Sequence, residues 1–134
     1  MRLPRSRAKT AWGLLKDIKR AILAEPLRCN MGIVLDRTMD SGLPHPACGA
    51  VGCVAGWGLI LTGRTFEGQR VYNQTNEAAK LMGLTYGQEQ ELFFPQDLVS
   101  AEKKQTPEHA KAVAEHIDSF MEENKKQLQA HRIV

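Results

Sequence analysis

Residues 48–61, Cys-Gly-Ala-Val-Gly-Cys-Val-Ala-Gly-Trp-Gly-Leu-Ile-Leu, decide the fold because they carry no charge. A helix that is apolar on every side is a buried helix, so we expect this stretch to form the central helix of the domain. Each glycine costs a helix interior about 1 kcal/mol relative to alanine, and close packing must offset that cost. Gly52 and Gly56 are four residues apart, which would place them on one face where a second helix can approach.

Amphipathic segments flank this central stretch. Residues 6–25 are predicted to form a helix that ends before Pro26, because proline disfavours helical dihedrals in the residue before it. Its apolar residues recur at three- and four-residue spacing: Ala11, Trp12, Leu15, Ile18 and Ile22. Residues 27–36 are compatible with a short strand or a helical turn, through Met31, Ile33, Val34 and Leu35, and residues 36–46 are predicted to be a loop.

Two short helices are predicted after the central one. Thr75 or Asn76 can cap a helix that continues through Met82 and ends at Gly83, and Thr85 can cap the next, which reaches Phe94 and closes at Pro95. Their packing residues are predicted to be Ala78, Ala79, Leu81, Met82, Leu84, Leu92 and Phe93. Residues 64–74 are predicted to form a connecting segment, in which Val71 and Tyr72 favour a short hairpin.

The last helix has a strong start signal in Thr106-Pro107-Glu108, a capping threonine followed by proline and a carboxylate. It is predicted to run to about Gln129, with a buried stripe of Val113, Ile117, Phe120, Met121 and Leu128. We therefore expect one all-α domain over residues 1–134, a compact bundle of four to five helices around residues 49–62 with at most a minor hairpin. Residues 1–5 are expected to be a flexible basic tail.

The composition indicates the class of protein to which the chain belongs. With 43% hydrophobic residues the chain is not a disordered one. An odd number of cysteines argues against a fully paired secreted framework, and we see neither a signal peptide nor a membrane span, so a soluble cytoplasmic protein is expected. Residues 1–20 hold seven Lys and Arg against Asp17. This basic segment is either a site for an anionic partner or a solvated helix face.

Zinc is the first candidate chemistry. His45, Cys48 and Cys53 are close in sequence, and Cys29 would complete a Cys3His set of the kind that zinc prefers. The His-x-x-Cys step suits zinc, but two cysteines five residues apart in one helix would point about 140° apart. The alternative is that these cysteines are small buried apolar residues.

A cysteine nucleophile is the second candidate. Cys48 would stand at the N-terminus of the central helix, where the helix dipole lowers a thiol pKa. His45, or His109 or His116 of the last helix, would be its base. No group that would orient such a base is visible, so we expect a protein that is not an enzyme and holds no cofactor.

Nucleic acid and small ligands are the remaining candidates. Ala79 and Gly83 match the small-residue spacing of a helix-turn-helix, but the second helix carries Glu89 and Glu91 and no cation, so we expect no sequence-specific DNA binding. The glycines of residues 49–58 would let a nucleotide approach the backbone, with Trp57 or Tyr72 stacking on its base.

Two motifs together resemble those of uncharacterised small bacterial and phage proteins. The first, C-G-x-x-x-C-x-A-G-W, is residues 48–57, and the second, A-A-x-L-x-G-L followed by L-F, is residues 78–84 and 92–93. The resemblance implies a phage or mobile-element setting, in which small proteins often block host defence proteins or capture signalling nucleotides. The leading hypothesis is a non-enzymatic binding protein that acts on a host protein or on itself. The alternatives are a nucleotide-binding protein, or a zinc-binding or cysteine-dependent one.

Overall fold

The computed structural model describes residues 5–26, 35–36, 51–63, 71–99 and 106–133. Within this part the chain is a set of helices packed against one another, as the apolar periodicity predicts. Helix α1 spans Ala11–Ala24, α2 Val54–Leu61, α3 Val71–Met82, α4 Tyr86–Phe93, α5 Gln96–Val99, α6 Pro107–Glu123 and α7 Lys125–Ala130. Strands β1 (Leu35–Asp36) and β2 (Val51–Gly52) form a two-residue antiparallel ladder that pairs Leu35 with Gly52.

Helix α2 is the centre of the fold, and all eight of its residues are buried. It contacts α1, α3 and α4. The prediction that this helix begins at residue 48 was wrong, because Val51–Gly52 lies in the ladder and Cys53 is the N-cap. Glycine is a poor helix former, so a helix that continued back over Gly52 would gain little, and Val51–Gly52 pairs with Leu35–Asp36 instead. Gly52 and Gly56 therefore do not share a helix face.

The neighbouring helices approach the backbone of α2 at Gly58 instead. A Cβ atom built on Gly58 would lie 2.9 Å from Cε of Met82 on α3 and 3.5 Å from Cδ1 of Ile18 on α1. The central helix thus has a glycine where two neighbouring helices press their side chains against its backbone.

Helix α1 begins later than predicted, at Ala11, where the Thr10 hydroxyl oxygen accepts from the Gly13 N–H at 3.2 Å. The Ser6 N–H donates instead to the carbonyl oxygen of Leu61, 2.7 Å away, at the end of α2. The predicted end before Pro26 is confirmed. Five side chains form the buried stripe of this helix: Ala11, Leu14, Leu15, Ile18 and Ile22.

Helix α3 starts at Val71, so the predicted hairpin through Val71 and Tyr72 was wrong, as was a cap at Thr75 or Asn76. Strand propensity is weak and context overrides it, here in favour of continuing a helix whose next turns hold buried Ala78 and Ala79. Gly83 ends the helix as predicted, with a positive φ of 69° that suits glycine.

The predicted caps at Thr85 and Thr106 are confirmed. Thr85 caps α4 in a reciprocal capping box with Gln88, and Thr106 caps α6 by accepting from the His109 N–H at 3.2 Å. The last helix was predicted to continue to Gln129, but it breaks at Asn124. There the Asn124 amide donates to the carbonyl oxygen of Phe120 at 2.9 Å, and α7 begins afresh with buried Leu128.

The two ends of the described chain lie side by side. Thr10 and Arg132 form an isolated antiparallel bridge, with the Ala11 N–H donating to His131 and the Ile133 N–H donating to Lys9. Helix α1 accordingly packs against both α6 and α7. None of the helices in the described ranges has the length and apolar character that crossing a bilayer requires.

Candidate functional site

Most residues of the predicted zinc set and cysteine–histidine pair, namely Cys29, His45 and Cys48, lie outside the described residues. The helix N-terminus that was predicted for Cys48 belongs to Cys53, which is 2% exposed. Within the described ranges, no group of three His, Cys, Asp or Glu side chains is arranged to hold a metal ion.

Cys53 has the chemistry of a buried structural thiol. Burial raises its pKa above the ordinary value, and the backbone N–H groups of Gly56 and Ala55, which lower that pKa, do not offset the burial. The thiolate, not the thiol, is the nucleophile and the zinc ligand. The helix N-terminus therefore does not activate this cysteine, because the cost of burying a thiolate charge is larger than the stabilisation from the backbone hydrogen bonds.

The other candidates are divided between core and surface. Trp57 is 1% exposed and belongs to the core, so its ring presents no face to solvent, while Tyr72 lies in the first turn of α3. His109 is 4% exposed. His116 reaches across to α4, where its Nε2 atom lies 2.8 Å from the carbonyl oxygen of Glu91.

Helix α4 presents aromatic side chains to solvent. Tyr86 is 75% exposed and Phe94, the C-cap residue, is 37% exposed. Together with exposed Gln90 they follow at four-residue steps, which places all three within about 80° around the helix axis. The same helix buries Leu92, on the far side of its axis, and Phe93, which lies only about 20° around the axis from Tyr86. We call Tyr86, Gln90 and Phe94 the outer face of α4.

The chain matches no protein-family model, no curated protein and no solved structure. Its function must therefore be inferred from its own surface.

The outer face of α4 is held in place by polar contacts on the flank of the helix. The side-chain amides of Gln88 and Gln127 pair reciprocally, at 2.8 and 2.7 Å, and Gln88 Nε2 also donates to Asn124 Oδ1 at 2.8 Å. Gln127 Nε2 further donates to the carbonyl oxygen of Gly83 at 3.0 Å, just before α4. The break at Asn124 thus places amides from α6 and α7 against α4.

The surroundings of this outer face are acidic. Residues 85–99 contain no Lys or Arg, and they carry Glu91 and Asp97 at the surface and Glu89 in a buried position. Desolvation raises the pKa of Glu91, a hydrogen bond with Glu123 and the negative charge of that side chain raise it further, and His116 opposes the shift.

Sequence reasoning missed the outer face of α4. It assigned Leu92 and Phe93 to packing but did not consider the exposed residues of the same helix. The available signal was the four-residue spacing of Tyr86, Gln90 and Phe94, which places the three side chains within one arc around the axis. Exposure of Phe94 was harder to foresee, because it is adjacent in sequence to a buried phenylalanine.

Proposed function

We propose that the chain is a non-enzymatic binding protein that contacts another protein through the outer face of α4. The observation that carries this proposal is the exposure of Tyr86, 75% of whose surface is open, on a helix that buries Leu92 and Phe93 in the core. Tyrosine supplies a large amphipathic contact area with few rotatable bonds, and it is enriched among residues that dominate binding energy.

Rigid attachment of α4 supports the same function. Interface side chains that are already ordered lose less entropy on binding, so a pre-organised face binds more tightly than a mobile one of the same area. Gln88 and Gln127 hold α4 from one flank, and His116 holds it from the neighbouring helix. The resemblance to small phage proteins adds a setting to the proposal, in which the partner is a host protein, such as a defence protein, or a second copy of the chain.

Site-specific photo-cross-linking tests the proposal. The cross-linking amino acid benzoylphenylalanine replaces Gln90 in the full chain, and as a matched control it replaces Glu115, an exposed residue of α6. Both variants are irradiated as purified protein and in a bacterial lysate. We expect protein adducts at position 90 that are absent at position 115, and that disappear when Tyr86→Ser and Phe94→Ser are added.

Equal labelling at both positions would show that the outer face of α4 has no preferred partner. Adducts that survive the two serine substitutions would also contradict the proposal. In that case the aromatic side chains would contribute nothing, whereas truncating a residue that dominates binding costs about 2 kcal/mol or more.

A further inference from the structure

A second exposed stripe lies on α1, and its chemistry differs from that of α4. Lys16 and Arg20 are exposed, Arg20 with 75% of its side chain, and Leu23 is 48% exposed. Helical spacing puts these three side chains within about 60° of one another around the axis. They lie opposite the buried stripe that contains Ile18 and Ile22. We call Lys16, Arg20 and Leu23 the outer face of α1.

Cationic groups on this face remain available to a partner. Lys19, on the flank, is already paired with Asp118 of α6 at 2.8 Å. Arg20 contacts Asp17 at 3.1 Å, yet three-quarters of its side chain stays exposed, and such an exposed pair contributes little to stability. An incoming carboxylate can therefore compete for the guanidinium.

The two outer faces are complementary. The outer face of α1 offers two cations and an aliphatic side chain, whereas the outer face of α4 offers two aromatic rings beside the carboxylate of Glu91. Arginine stacks on aromatic rings and pairs with carboxylates, so Arg20 has both kinds of counterpart on α4. Both faces are exposed to solvent in the folded chain, so they can meet through a second molecule.

We infer that the occupant of the outer face of α4 is the outer face of α1 from a second copy of this chain. This inference rests on the proposed function and names its partner. Helix α4 has eight residues and is about 12 Å long, so one such contact buries less than the roughly 800 Å² per partner of a stable interface. Two reciprocal contacts about a two-fold axis double that area and close the assembly as a dimer.

Sedimentation velocity of the purified full chain, from micromolar to several hundred micromolar, tests this inference. We expect a concentration-dependent dimer that weakens as salt is raised, because exposed charges are screened. Arg20→Glu alone and Glu91→Arg alone each place like charges together in both contacts, and each should weaken the dimer at least about tenfold. Both residues are on the surface, so circular dichroism spectra should stay unchanged.

Mixing the two variants is the decisive step. In an Arg20→Glu molecule paired with a Glu91→Arg molecule, one contact is native and the other has its charges exchanged, so the mixture should dimerise where neither variant does alone. Lys111→Glu, a reversal on the exposed surface of α6, is the matched control and should dimerise as the unmodified chain does.

Three outcomes would overturn the inference: a monomer at every concentration, a dimer that neither reversal weakens, or a mixture that fails to associate. The proposed function fails separately. If position 90 cross-links to a foreign protein while the purified chain is monomeric, the outer face of α4 is a binding surface and the partner is not a second copy.

Discussion

His116 of α6 holds α4 through a main-chain atom, since its Nε2 lies 2.8 Å from the carbonyl oxygen of Glu91. A carbonyl oxygen only accepts hydrogen bonds, so Nε2 must carry the proton. The position of the candidate interaction surface thus depends on a histidine of a different helix. Replacing the side chain of Glu91 leaves this contact in place, whereas replacing His116 removes it.

We expect His116→Ala to lower the free energy of unfolding by about 0.5–1.5 kcal/mol, the usual net value of one hydrogen bond. Urea unfolding measures this change. Amide hydrogen exchange should show that the substitution accelerates exchange in α4 more than in α1. Glu115→Ala, next to it on the exposed side, is the control. Uniformly faster exchange in all helices would contradict a local role for His116.

The carboxyl group of Glu91 makes stability depend on pH. Its pKa is raised in the folded protein, by desolvation and then by Glu123, so the native state holds the proton more tightly than the unfolded chain, whose value is near 4.5. The stability that this proton contributes to the fold is therefore present in full below about pH 4.5. It is lost as the pH rises through the pKa that Glu91 has in the folded protein.

Glu91→Gln removes that loss. We expect the melting temperature at pH 7 to rise by about 1–4 °C, as for an exposed like-charge pair, with little change at pH 3.5. Asp97→Asn, which neutralises an exposed carboxylate on α5, should not reproduce this pattern. An equal effect of Glu91→Gln at both pH values would mean that its proton is not involved.

Cys53 should be protected from thiol reagents. In a Cys29→Ser, Cys48→Ser chain, Cys53 is the remaining thiol, and it is 2% exposed with a raised pKa. We expect its reaction with a disulfide reagent at pH 7.5 to be slower in the folded protein than in urea by a factor of about a thousand, since reaction requires opening. Rapid labelling of the folded chain would instead indicate an accessible thiolate.

Two helical glycines should respond in opposite directions. A Cβ at Gly58 would approach Met82 Cε to 2.9 Å, whereas a Cβ at Gly87 of α4 meets nothing within 4 Å. Gly58→Leu should therefore overpack the core and destabilise the fold by about 1–3 kcal/mol or more. Gly87→Ala should stabilise it by about 0.4–1 kcal/mol through helix propensity. Chemical denaturation of the two variants compares them directly.

Local signals predicted what local interactions determine. Threonine caps at Thr85 and Thr106 and the helix end at Gly83 depend on hydrogen bonds and dihedrals within a few residues, and all three are as expected. The buried stripe of α6 likewise follows from spacing alone.

Features set by distant contacts were not predictable in this way. Val51–Gly52 leaves the helical pattern because residues 35–36 pair with it, and Asn124 interrupts a helix whose apolar spacing continues beyond it. The bundle leaves Tyr86 exposed but covers Phe93, although the two lie only about 20° apart around the axis of α4. That choice depends on how α2, α3 and α6 are arranged, which periodicity does not specify.

The pairing of residues 9–11 with residues 131–133 has a consequence for synthesis on the ribosome. Helix α1 leaves the exit tunnel long before its neighbours α6 and α7 and the residue that pairs with Thr10 have been made. A nascent chain that ends near residue 100 has only α2 against the apolar stripe of α1. The native packing of α1 must therefore await synthesis of residues 106–133, and until then its apolar stripe is only partly covered.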